Sequence, residues 1–201
     1  MFVDRNITEV TIMDVDKKPV LFIILAVVTI LAGTLATTFI PLFMGTASPS
    51  RENIKFYTAL ELEGRDIYIR EGCNNCHTQM VRPLKFETAR YGDYSTLADS
   101  AIDRPHLWGS KRTGPDLARV GRKYPAAWHV IHMKSPQSMY PKSNMPPYAW
   151  LADRDLNTKY TEAKMKTLGY PYTAADLRAL EGKTEMDAII AYLLRLGNEL
   201  R

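Results

Sequence analysis

Only two cysteines occur in the 201 residues. That excludes a disulfide-stapled fold and a four-thiolate zinc site. No stretch alternates apolar and polar residues in the manner of a strand, so neither a sheet-based domain nor the strand-helix frame of a thioredoxin-like dithiol is expected. Lys and Arg outnumber Asp and Glu by 26 to 22, but the basic residues are scattered and form no aromatic-basic platform, so no nucleic-acid partner is expected. Charge is missing altogether from Pro19 to Ser50.

Within that uncharged run, Val20 to Met44 is almost wholly apolar. About 25 residues rising 1.5 Å each give roughly 37 Å, enough to cross a hydrocarbon core of about 30 Å with some tilt. The pattern predicts a polar tail over residues 1–18, one transmembrane anchor over residues 19–44 in contact with membrane lipid, and one domain over residues 45–201. A cleaved signal peptide is the competing reading, with Thr46-Ala47-Ser48 as its cleavage site, but the apolar core of such a peptide is much shorter. Ala32, Gly33, Thr34 and Ala36 would let a neighbouring helix approach closely. Arg5, Lys17 and Lys18 precede the span and Arg51, Lys55 and Arg65 follow it, so positive charge does not set its direction.

Beyond the anchor the chain reads as helices and long loops. A helix is expected from Arg51 to Glu71, with Leu60, Ile67 and Tyr68 on one face and Gly64 as a possible crossing point. Thr184 to Asp187 reads as a capped start, Ile189, Ile190, Leu193 and Leu194 as the stripe that follows, and Gly197 as the stop. Pro125 to Lys134 is a shorter helix, another ends at Gly169, and one more begins at Thr173 with Asp176 three residues on. The fold class is mainly α.

Cys73-Asn74-Asn75-Cys76-His77 is the attachment signature of a c-type heme. Two thiols two residues apart reach the vinyl groups of one macrocycle, and the adjacent imidazole reaches its iron. A redox dithiol and half of a zinc site use the same spacing, but nothing else in the chain completes either. The expected cofactor is therefore one heme c, bound covalently through Cys73 and Cys76 with His77 on the metal. Its attachment outside the cytoplasm sets the direction of the anchor, with the tail cytoplasmic and the heme domain periplasmic at a bacterial inner membrane. A proximal imidazole needs a carbonyl for its other nitrogen, and Pro115 in Thr113-Gly114-Pro115-Asp116-Leu117 is the candidate. For the sixth ligand, Met145 in Asn144-Met145-Pro146-Pro147 leads, because two prolines stiffen its loop. Met80, Met133 and Met139 compete with it, as do His106, His129 and His132. Lys111 and Arg112 are candidates for a heme propionate, and Trp108, Tyr148 and Trp150 for the heme lining. Two filled axial positions leave none for oxygen or peroxide, which favours electron transfer over catalysis and over a gas sensor or peroxidase.

These residues also carry a family resemblance. The Gly-Pro-x-Leu loop and the pairing of an N-terminal with a C-terminal helix resemble the class I cytochrome c fold. The tracts Cys73 to Pro83, Arg90 to Ser95, Trp108 to Gly121 and Asn144 to Tyr148 together resemble the monoheme subunit (subunit II, CcoO or FixO) of cbb3-type cytochrome c oxidases. The resemblance implies a place beside a heme-copper catalytic subunit and a diheme cytochrome c subunit, with the heme c relaying electrons toward oxygen reduction. The monoheme subunit of nitric oxide reductase and a free tethered shuttle are the alternatives, and the middle tract argues against the first. The long segment between His77 and the Gly-Pro loop exceeds what a minimal heme shell needs and suits a docking surface.

Overall fold

The computed structural model describes residue 15, residues 17–43 and residues 55–198. The chain divides into two units, Met1–Pro49 and Ser50–Arg201. In the first, helix α1 runs Pro19–Phe43 over 25 residues, with proline in its first turn, and none of its described side chains is buried. Such a helix has its apolar surface left for an external solvent of low polarity. The hydroxyls of Thr29 and Thr37 donate back to the carbonyls of Leu25 and Gly33 at 2.9 and 2.8 Å, so neither is left unbonded on that surface. Leu35–Phe39 forms a wider π turn, where the Ile40 N–H donates to the Leu35 carbonyl. Pro41 accounts for it: a proline ring collides with the carbonyl four residues back, and widening the preceding turn relieves that collision without ending the helix. Met44, the last residue expected in the anchor, lies outside the described residues, as do residues 1–14 of the tail.

The second unit is built on a crossing of two helices from its opposite ends. Helix α2, Ala59–Arg70, starts at Thr58, whose side chain and that of Glu61 close a reciprocal capping box. This corrects the expected start at Arg51: residues 55–58 are not helical, and residues 51–54 lie outside the described residues. The threonine cap sets the start, because the side chains of Glu61 and Thr58 bond the amides of Thr58 and Glu61, which have no helical carbonyl four residues back. Helix α8, Glu185–Arg195, begins in the same way at Thr184 with Asp187. Gly64 is where the two meet. A Cβ there would lie 1.9 Å from the Ala188 carbonyl oxygen and 2.8 Å from the Tyr192 Cβ, so only glycine admits this approach. Arg70 fastens one end of the crossing by donating to both carboxylate oxygens of Glu185 at 2.9 and 2.5 Å. Leu62, Ile67, Met186, Ile189 and Leu193 are buried in the seam. Tyr192 packs between Tyr57 and Tyr68, at centroid distances of 5.9 and 5.4 Å.

The intervening elements are short and wrap this pair. Helix α3 is Lys85–Tyr91, α4 is Ala126–Lys134, α5 is Pro136–Met139, α6 is Thr161–Leu168 and α7 is Ala174–Arg178. The expected stop of α6 at Gly169 and the Thr173–Asp176 box that opens α7 are both present. The described residues contain no strand, only a single bridge between Asp155 and Thr184.

Candidate heme site

Helix α2 delivers the motif. Just past its end, Cys73–Asn75 makes one tight turn, and the amides of Cys76 and His77 both donate to the Cys73 carbonyl, at 3.2 and 2.9 Å. That turn leaves Cys73 half-buried against the helical core and Cys76 exposed, with His77 following directly. Tyr68 on α2 donates its hydroxyl to the His77 carbonyl at 3.2 Å, and Tyr192 on α8 donates to Gln79 Oε1 at 2.9 Å. The crossing thereby holds the C-terminal end of the motif. Burial, with Glu71 and Cys76 adding to it, pushes the Cys73 thiol up to about 12. A dithiol used for exchange is driven the other way, toward thiolate, so the environment speaks against that reading.

The ring of His77 lies against the Gly-Pro loop. Its Nδ1 is 2.8 Å from the Pro115 carbonyl oxygen. A carbonyl only accepts, so Nδ1 carries the proton and the lone pair of Nε2 is left over. Burial holds the pKa of His77 below its ordinary value, against the upward pull of Pro115 and Asp116, which keeps the ring neutral. A Cβ on Gly114 would stand 2.2 Å from His77 Cε1, so the backbone itself forms the cradle for the ring. The loop is tied down at two points, by Gly114 N–H to the Cys76 carbonyl and Leu117 N–H to the Thr78 carbonyl, both 3.0 Å. A neutral imidazole with its spare nitrogen unprotonated, beside two thiols on one turn, suits a heme bound through both sulfurs.

Met145 is half-buried and packs on the core. Gln137 Nε2 donates to its carbonyl at 2.7 Å, its own amide donates to Ser143 Oγ at 3.2 Å, and Tyr148 N–H closes the loop on the Met133 carbonyl at 2.8 Å. Of its competitors, Met133 is only 4% exposed and belongs to the core cluster. Met80 has its amide on Asp116 and its carbonyl on Arg112. His106 stacks on Trp108 at 4.6 Å, and His129 and His132 lie on α4. Trp108 and Trp150 are exposed at 38% and 41%, and Tyr148 is half-buried with its ring 5.2 Å from Trp150.

Arg112 sits between two carboxylates of the chain. It donates to Glu87 at 2.7 Å, to Asp116 at 3.0 Å and to the Met80 carbonyl at 3.0 Å, and its buried Nε alone has no partner. Glu87, 2% exposed, is also paired with Arg82. Burial raises the Glu87 pKa, but hydrogen bonds from Arg82 and the charge of Arg112 more than reverse this and hold it below the usual carboxylate range. Asp116 goes the other way, because burial outweighs its bonds to Ala118 and Arg112. The segment after His77 is thus pinned to the Gly-Pro loop by ion pairs. Sequence reading missed Glu87 and Asp116, whose partners lie up to 36 residues away; a lone acid in a short basic helix was the only local signal.

An apolar helix of membrane length and a helical domain that presents Cys-x-x-Cys-His beside a Gly-Pro loop define a class, the membrane-anchored c-type cytochromes. Comparison with known families narrows it. The family described as cytochrome c oxidase, mono-heme subunit/FixO, matches residues 13–182, and the chain belongs to that family. A search of the curated proteins finds no match. Membership makes the chain a one-heme subunit of a cytochrome c oxidase, associated with other subunits of that oxidase.

Proposed function

We propose that this chain relays electrons through one heme c to the oxygen-reducing heme-copper subunit of a cbb3-type oxidase, receiving them from a diheme cytochrome c subunit. Cys73 and Cys76 would hold the heme through their sulfurs, and His77 Nε2 and the sulfur of Met145 would bind its iron. The observation that carries this reading is the 2.8 Å bond from His77 Nδ1–H to the Pro115 carbonyl, which leaves Nε2 as the one nitrogen able to bind a metal. When bound, the heme would supply a one-electron redox couple. The chain's own residues keep that site rigid. Gly114 and Pro115 hold the imidazole, Pro146 and Pro147 restrain the Met145 loop, and Arg112 offers its remaining Nε–H to a propionate. Residues 1–18 stay in the cytoplasm, residues 19–44 cross the bacterial inner membrane, and residues 45–201 form the periplasmic heme domain.

The test is Met145→Ala in the assembled complex. The weak sulfur-to-iron absorption band is expected to disappear, external ligands gain access to the iron, and turnover from the physiological donor falls at least about tenfold, a barrier increase of roughly 1.4 kcal/mol. If the band vanishes instead in a Met80, Met133 or Met139 variant, the ligand assignment is wrong. Undiminished turnover in an assembled Met145 variant would mean that electrons bypass this heme.

A further inference from the structure

On α4, two imidazole nitrogens are buried without a hydrogen-bond partner, Nε2 of His129 and Nδ1 of His132. A shielded polar atom left unbonded costs about 1–3 kcal/mol, so each requires a particular neighbour in the finished protein. Their surroundings differ. His129 is 3% exposed and is held edge-on by Tyr124 and Trp128 at 6.2 and 5.3 Å, and burial brings its pKa down to about 4. It is a neutral ring in an aromatic box. His132 is half-buried and lies flat on Trp128, with centroids 4.6 Å apart, while Tyr140 meets its edge at 6.5 Å.

The fold brings His132 to the loop of the proposed second ligand, and burial, followed by repulsion from a protonated His77 ring, lowers its pKa. The loop that carries Met145 closes over the same end of α4: Tyr148 N–H bonds the carbonyl of Met133, the residue next to His132, and Gln137 holds the Met145 carbonyl.

We propose that His132 is a positioning residue of this site, donating a hydrogen bond from Nδ1–H to the sulfur of Met145. The proposal rests on the His77 and Met145 ligation proposed above. A thioether sulfur is a weak acceptor with two lone pairs, so one is left to accept while the other binds a metal. A donor on that sulfur draws electron density from it, and the ferric state, which needs the density more, loses more stabilisation than the ferrous. His132 therefore raises the reduction potential, and its stack on Trp128 fixes the direction of the donor.

The full-length chain, purified in detergent with its heme, tests this through the sulfur-to-iron band and the reduction potential of His132→Phe, His132→Asn and His132→Gln. Phenylalanine keeps the stacking and removes the donor. It should weaken the band and move the reduction equilibrium three- to tenfold toward the oxidised form, where tenfold is 59 mV for one electron. Asparagine sets an amide N–H near the place of Nδ1 and should recover most of that loss; glutamine sets it near Nε2 and should not. A Phe variant within twofold of wild type, or equal behaviour of the Asn and Gln variants, overturns the role of His132. If Phe does not take up heme, the Asn and Gln comparison decides alone. A wild-type chain with no sulfur-to-iron band refutes the Met145 ligation itself, which separates that failure from this one.

Discussion

Gly114 shows how a single missing side chain builds a cradle for an imidazole ring. Its backbone occupies the place where a Cβ would meet the His77 ring at 2.2 Å, and Pro115 then presents its carbonyl to Nδ1. Gly114→Ala is expected to push the loop off the imidazole. The His77–Pro115 bond lengthens, ligand basicity falls, and thermal unfolding of the heme-loaded chain shifts by an amount corresponding to about 1–3 kcal/mol. An unchanged melting temperature and an unchanged absorption spectrum in the Ala variant would refute this role. At this scale the sequence was readable wherever chemistry dictates spacing. Cys73, Cys76, His77 and the Gly-Pro dipeptide stand out by pattern alone. The buried Glu87 did not, because nothing local distinguishes an acid headed for Arg82 and Arg112 from one bound for solvent. Arg112 itself shows the same limit: its charge suggested a propionate, and the structure adds two carboxylates of the chain.

Among the elements, the α2–α8 crossing organises the domain. Gly64 permits an approach at which any Cβ would overlap the Ala188 carbonyl. Gly64→Val is therefore expected to force the helices apart and to cost about 3 kcal/mol or more, whereas Ile189→Ala leaves the geometry intact and costs about 2–4 kcal/mol through the cavity it opens. Chemical denaturation of the two variants checks both, and a Gly64→Val protein as stable as wild type would show that the crossing does not depend on that contact. The C-terminal helix was legible end to end, since Thr184, Asp187 and its apolar stripe agree. The start of α2 was not: no proline or glycine stands between Arg51 and Thr58, and only the Thr58–Glu61 box marks the boundary.

For the molecule as a whole, the anchor is the feature with a direct chemical check. Helix α1 has no buried side chain among its described residues, and its apolar length exceeds that of a signal-peptide core. N-terminal sequencing of the mature chain is expected to find the residues ahead of Pro19 still attached, and a mature chain starting near Ser48 would refute the anchor. The bond between Arg70 and Glu185 joins residues 115 positions apart, and the contact between Tyr192 and Gln79 spans 113. A core closed by its first and last helices gives no early reward to a partly delivered chain, because loop closure must be met before any of those contacts form. The hydrophobic seam therefore shuts only once α8 has been delivered, and the Cys-x-x-Cys-His turn, which lies early in the sequence, stays without its Tyr192 anchor until then.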